Sequence, residues 1–97
     1  MVTDNLMPFD ITNYYEPLVV SAVQHYATQH LANPPLATDD LLEDAACIAL
    51  NQLPTRYIRH YIDASFFMSA NERARMEAEV EHAVHQAFER LLAARSK

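Results

Sequence analysis

The chain contains no glycine. A backbone without glycine has no residue that enters the left-handed region freely. Two-residue hairpins, which rely on positive φ, are therefore disfavoured. Turns fall instead to proline, asparagine, aspartate and serine. The same absence rules out the glycine-rich loops that cradle phosphates in Walker and dinucleotide sites. The expectation is an all-α, mainly helical fold.

The 97 residues suffice for one domain, near the lower end for an independent core, and 51% of them are hydrophobic. So apolar a small chain is expected to cover part of its surface by forming a homodimer. A formal charge of −6 disfavours direct binding to nucleic acid or to an anionic membrane, both of which need a basic surface. The N-terminus is acidic, so no signal peptide is expected. No stretch reaches the roughly 18 apolar residues of a membrane span. Cys47 stands alone and cannot form an internal disulfide, and a cytoplasmic location is expected. Its neighbours Ala45, Ala46 and Ile48 predict a buried thiol.

Periodicity divides the chain into a tail over residues 1–12 and a single helical domain over 13–95. Asn13-Tyr-Tyr-Glu16 has the form of a capping box, with Pro17 tolerated in the first turn. A helix then runs to about Leu31, with Leu18, Val19, Ala22, Val23 and Tyr26 at helical spacing, and Asn33-Pro34-Pro35 ends it. A second helix starts near Asp39, read as its cap, and stops near Asn51 because Pro54 disfavours helical geometry at Leu53. Residues 56–66 are rich in aromatic and β-branched side chains and are read as either helix or a short extended segment. A helix would put Arg56, Arg59 and His60 on one face; a strand would put the two arginines on opposite faces. The last segment opens with a second capping box, Ser69-Ala-Asn-Glu72, and continues as a long amphipathic helix.

No lysine or arginine occurs from Met1 to Thr55, and then Arg56, Tyr57, Arg59, His60 and Tyr61 arrive together. Guanidinium groups fork onto phosphates, and aromatic or arginine planes stack on bases. The same run has a plainer reading, in which the tyrosines are core residues and the arginines are solvated or paired. Glu79-x-x-His82 has the spacing of half a di-iron site, but the motif occurs once where two are needed, so no metal is assigned. Neither Cys47 nor the serines show a nucleophile–base pattern, and no catalytic residue is assigned.

Asp44, Ala49, Leu50, Asn51, Leu53, Pro54 and Tyr57 form the pattern D-x4-A-L-N-x-L-P-x-x-Y. This resembles the central signature of the late competence development protein ComFB family. Asn13-x-x-Glu16-x-Leu18-Val19 resembles that family's opening, and the helix after Ser69 its end, so the likeness runs from about Asn13 to Leu92. The resemblance implies a small, homodimeric, cytoplasmic helical protein without known catalysis. Some members of the family bind zinc through cysteines ahead of the central motif. Others, notably cyanobacterial ones, are receptors for cyclic dinucleotides that influence motility, competence or cell size. Thr38 and Leu41 stand near the places of those cysteines, so zinc is not carried over, and no cofactor is expected. Gln52 stands where many nucleotide-binding members have a basic residue. The expected ligand site is therefore Arg56, Tyr57, Arg59, His60 and Tyr61, with Asn51 shaping the loop and the arginines holding phosphates of a c-di-GMP-type ligand. The alternative is a ligand-free helical adaptor that acts by binding a protein partner.

Overall fold

A computed structural model describes residues 11–31, 38–59 and 68–95. The elements run β1 (Thr12–Asn13), α1 (Tyr15–His30), α2 (Asp39–Gln52), β2 (Tyr57–Ile58) and α3 (Ala70–Arg95). The fold is mainly helical, as the missing glycine implies, and no described residue has a positive φ. Asn33-Pro34-Pro35, the stop assigned to the first helix, lies outside the described residues.

The helix starts differ from the sequence reading by one residue. Tyr14, not Asn13, is the N-cap of α1. Asn13 still serves the helix from one step back, because its Oδ1 accepts the Tyr15 N–H at 3.2 Å. Thr38, not Asp39, caps α2; its extended backbone turns Oγ1 toward the Leu41 N–H, which donates at 3.2 Å. That leaves Asp39 and Asp40 in the first turn, where negative charge complements the helix dipole. Ser69 caps α3 as expected, its Oγ accepting the Glu72 N–H at 3.0 Å.

The three helices pack against one another around α3. Its buried side chains Met76, Val80, Ala83, Val84, Ala87 and Phe88 recur at steps of three and four. From α1 come Tyr15, Val19 and Val23, and from α2 Leu41, Ala45 and Ala49. The α2 stripe uses every fourth residue, so its facing side chains are small and let the backbones come close.

That same stripe exposes Cys47, contrary to the buried thiol expected from its apolar neighbours. Two residues along a helix is a rotation of roughly 200°. Cys47 stands two residues from both Ala45 and Ala49, so it points away from the core they face. Apolar neighbours in sequence are not apolar neighbours in space.

Tyr15 joins the start of α1 to α3 by a polar contact. Its hydroxyl donates to Glu79 Oε1 at 2.7 Å. Burial, reinforced by the neighbouring Glu79 carboxylate, pushes this hydroxyl from 10.0 up to about 12. The protonated phenol is the stabilising form, so its contribution is complete below about pH 10 and is lost as the pH rises toward 12. In urea titrations at a series of alkaline pH values, Tyr15→Phe is expected to lack this step. Parallel stability curves for the two proteins above pH 10 would contradict the assignment.

The Glu79 contact also bears on the half di-iron motif. Glu79 is engaged by Tyr15, while His82 is exposed. Among the described residues, no group of three or more His, Cys, Asp or Glu is placed to hold a metal ion. No described helix is long and apolar enough to cross a membrane.

Candidate functional site

The loop after α2 forms because proline stops the helix. Leu53 takes φ −102° and ψ 151°, the extended geometry that a following proline imposes. Its N–H still reaches Leu50 O at 3.3 Å, closing the last turn. The chain then runs past Thr55 and pairs antiparallel with β1, Thr12 opposite Ile58 and Asn13 opposite Tyr57. The sequence left residues 56–66 open between helix and strand; Tyr57–Ile58 are strand.

A two-residue ladder is marginal by itself, and three further bonds hold it. Arg56 N–H donates to Asn13 Oδ1 at 2.9 Å. Tyr14 N–H donates to Arg56 O at 2.7 Å. The Arg56 guanidinium donates to Glu72 Oε2 at 2.6 Å, an ion pair with the first turn of α3. Arg56 thus ties the central loop to the start of α1 through its backbone and to the start of α3 through its side chain.

Strand geometry sorts the expected ligand residues by side. Burial alternates along the run: Arg56 and Ile58 are half-buried, Tyr57 and Arg59 exposed. Ile58 packs against the core. Tyr57 is 64% exposed, the most exposed of the large hydrophobic side chains described. Of the plainer reading, then, one part fits and one does not. Arg56 is paired, but Tyr57 is no core residue. Only Tyr57–Ile58 are strand, with Arg59 at a bend after them, so the helix that would have gathered the two arginines on one face does not form. Asn51 is exposed in the last turn of α2. His60 and Tyr61 lie outside the described residues.

Two participants escaped the sequence reading. Asn13 was legible as a helix cap, but not as the acceptor for a residue 43 positions away. Glu72 was legible as part of a capping box, but its carboxylate also engages Arg56. Neither long-range partner leaves a local signature. The one available hint was that Arg56 is the first cation after a long acidic stretch and had to find its counter-charge across the fold.

Chemically, the segment offers the exposed Tyr57 ring, with the guanidinium of Arg56, paired with Glu72, before it in sequence and the exposed Arg59 after it. The Arg56–Glu72 pair is partly open to solvent, with Glu72 the more covered of the two. The Arg56 side chain is 39% exposed, and ion pairs at such positions contribute only about 0–1 kcal/mol.

No curated protein and no solved structure matches the chain. A family model described as late competence development protein ComFB matches residues 12–95.

Proposed function

The chain belongs to the late competence development protein ComFB family, and on that premise we propose that it is a non-enzymatic cytoplasmic regulatory module, a homodimer that binds a cyclic dinucleotide of the c-di-GMP type. The observation that carries the reading is Tyr57. A large aromatic side chain left 64% exposed on a short ladder, in the first cation-bearing segment of an otherwise acidic chain, is an available stacking platform. Base-on-aromatic stacking is worth about 1–3 kcal/mol in single-stranded nucleic acid complexes. Arg59, two residues on, is also exposed, and Arg56 would exchange Glu72 for a phosphate. The ligand has two phosphates and two bases related by a two-fold axis. A homodimer whose axis passes near the ladder presents two copies of Tyr57, Arg56 and Arg59 to it. His60, Tyr61 and Asn51 complete the proposed site.

Calorimetry of the purified protein against c-di-GMP and c-di-AMP tests this. Saturable heat is expected with one of them, at no more than one ligand per protomer. The Arg56→Ala, Arg59→Ala variant is expected to bind at least tenfold more weakly. Glu72→Gln removes the competing carboxylate and is expected to tighten binding by up to about fivefold, the equivalent of about 1 kcal/mol. No heat with either ligand at high concentration would sink the proposal. An arginine variant that binds like the parent would sink only the site.

A second reading draws on Val20, which is 48% exposed beside a shallow groove it shares with Leu42 and Ala46. Here the protein is an adaptor that works through protein–protein contact without a ligand. A stable partner recovered equally with and without nucleotide would favour it.

A further inference from the structure

A second concavity lies between α1 and α3, and none of the described residues of the cation-bearing loop lines it. Its volume is about 450 Å³, within the range of pockets that enclose small ligands. The floor is apolar, with Leu18 and Ala22 from α1 and Val80 and Val84 from α3. These residues recur at steps of four on each helix, so the cleft follows the seam between two packed stripes. Ala22 contributes only a methyl group at the centre of the α1 side.

One end of the cleft is built from rings. Tyr26 lies flat on the buried Phe88, with centroids 4.2 Å apart and planes 3° from parallel. His85 meets the Tyr26 ring edge-on at 4.9 Å, and His30 is tilted against it at 4.5 Å. The two imidazoles are themselves 5.7 Å apart and nearly perpendicular. Phe88 backs Tyr26 from the core, so the ring cluster is anchored at Tyr26, with His85 half-buried and His30 exposed at its outer edge.

The permanent charges of the described lining are carboxylates, beside the imidazoles of His25, His30 and His85. Glu77 and Glu81, one turn apart on α3, lie along one edge, and no lysine or arginine is among the described residues that line the cleft. With the imidazoles neutral, an anionic ligand would meet two carboxylates and no guanidinium or ammonium group. A cation gains from both carboxylates and from the negative faces of the rings. A flat group bearing N–H donors gains further, because a carboxylate accepts such donors two at a time.

We propose that this cleft binds a small planar organic cation, of the amidine, guanidine or aromatic amine class. Its flat face rests on the apolar floor beside His30 and His85, and its N–H groups meet Glu77 and Glu81. The site is separate from the anion site proposed above and opposite to it in charge preference.

An NMR titration of the isotope-labelled protein with benzamidinium tests the assignment, with benzoate and benzyl alcohol as anionic and neutral probes of the same ring. Benzamidinium is expected to shift the amides of Ala22, Tyr26 and Val84 saturably, and benzoate to leave them in place. Glu77→Gln with Glu81→Gln alters two exposed side chains, so the fold is retained. That variant is expected to bind benzamidinium roughly tenfold more weakly. Ala22→Phe fills the floor and is expected to abolish binding, with the parent fold checked from the amide spectrum. The proposal is overturned by benzoate binding as tightly as benzamidinium, by no binding of benzamidinium, or by undiminished binding in the double glutamine variant.

Discussion

Phe88→Ala is expected to destabilise the protein by about 3–5 kcal/mol, the usual range for removing a fully buried phenylalanine. Phe88 is 0% exposed and sits two-thirds of the way along α3, where it backs the Tyr26 ring at 4.2 Å. Truncation removes the transfer free energy of the ring and leaves a space that the neighbours fill only partly. A domain of this size has a total stability of about 5–15 kcal/mol, so the variant stands near the limit of folding. Its thermal midpoint is expected to fall by at least about 12 °C, at about 4–8 °C per kcal/mol for a domain of this length. Chemical denaturation monitored by circular dichroism measures the loss directly. A change below about 1.5 kcal/mol would mean that α3 is not the organising element. Because Tyr26 leans on this ring and His85 on Tyr26, the same variant is also expected to disorder the ring end of the α1–α3 cleft.

The second large effect is expected at Asn13. One carboxamide oxygen accepts the Tyr15 N–H at 3.2 Å and the Arg56 N–H at 2.9 Å. Asn13→Ala removes both bonds at once and leaves two partly buried donors, each costing about 1–3 kcal/mol when unsatisfied. Water reaches part of this region, so the expected total is about 2–4 kcal/mol. The effect should be local. Amide exchange at Arg56 and Tyr15 is expected to accelerate strongly, and exchange in the centre of α3 much less. Asn13→Asp keeps an acceptor in the same place and is expected to retain most of the protection. The variant also separates structure from recognition. If Tyr57 serves as a stacking platform, releasing its ladder should weaken nucleotide binding even though Asn13 need not touch the ligand. An Arg56 amide as well protected in Asn13→Ala as in the parent would show that the ladder holds itself.

Both predictions depend on contacts that differ in how visible they are from sequence. The Phe88 position was legible, because the α3 periodicity places it on the same face as Met76, Val80 and Val84. Its partner ring was not, since nothing local connects residue 88 to residue 26. The Asn13 bond to Tyr15 was close to legible as a cap, being a contact two residues apart; the bond to Arg56 was not. Cys47 failed for another reason. Its neighbours along the chain are apolar, but the helical repeat carries every second residue to the far side.

The family was legible too, because its central motif is local. Asn51, Leu53 and Pro54 fix where α2 ends, and a helix stop is a short-range event governed by proline sterics. The charged residues that follow could be named, but not sorted. Whether Arg56 and Arg59 share a face depends on whether the backbone there is helical or extended. The choice is made by β1, more than 40 positions earlier.

The sequence alone therefore determined the helices, their approximate limits, the stripe of α3 that faces inward and the family. Each follows from interactions spanning a few residues, or from a pattern repeated along one element. Tertiary structure decided the rest. It placed Tyr57 in solvent, paired Arg56 with Glu72, turned Cys47 outward and closed the acid-edged cleft with rings from two helices. These outcomes depend on which surfaces meet when the helices pack, and no local propensity carries that information.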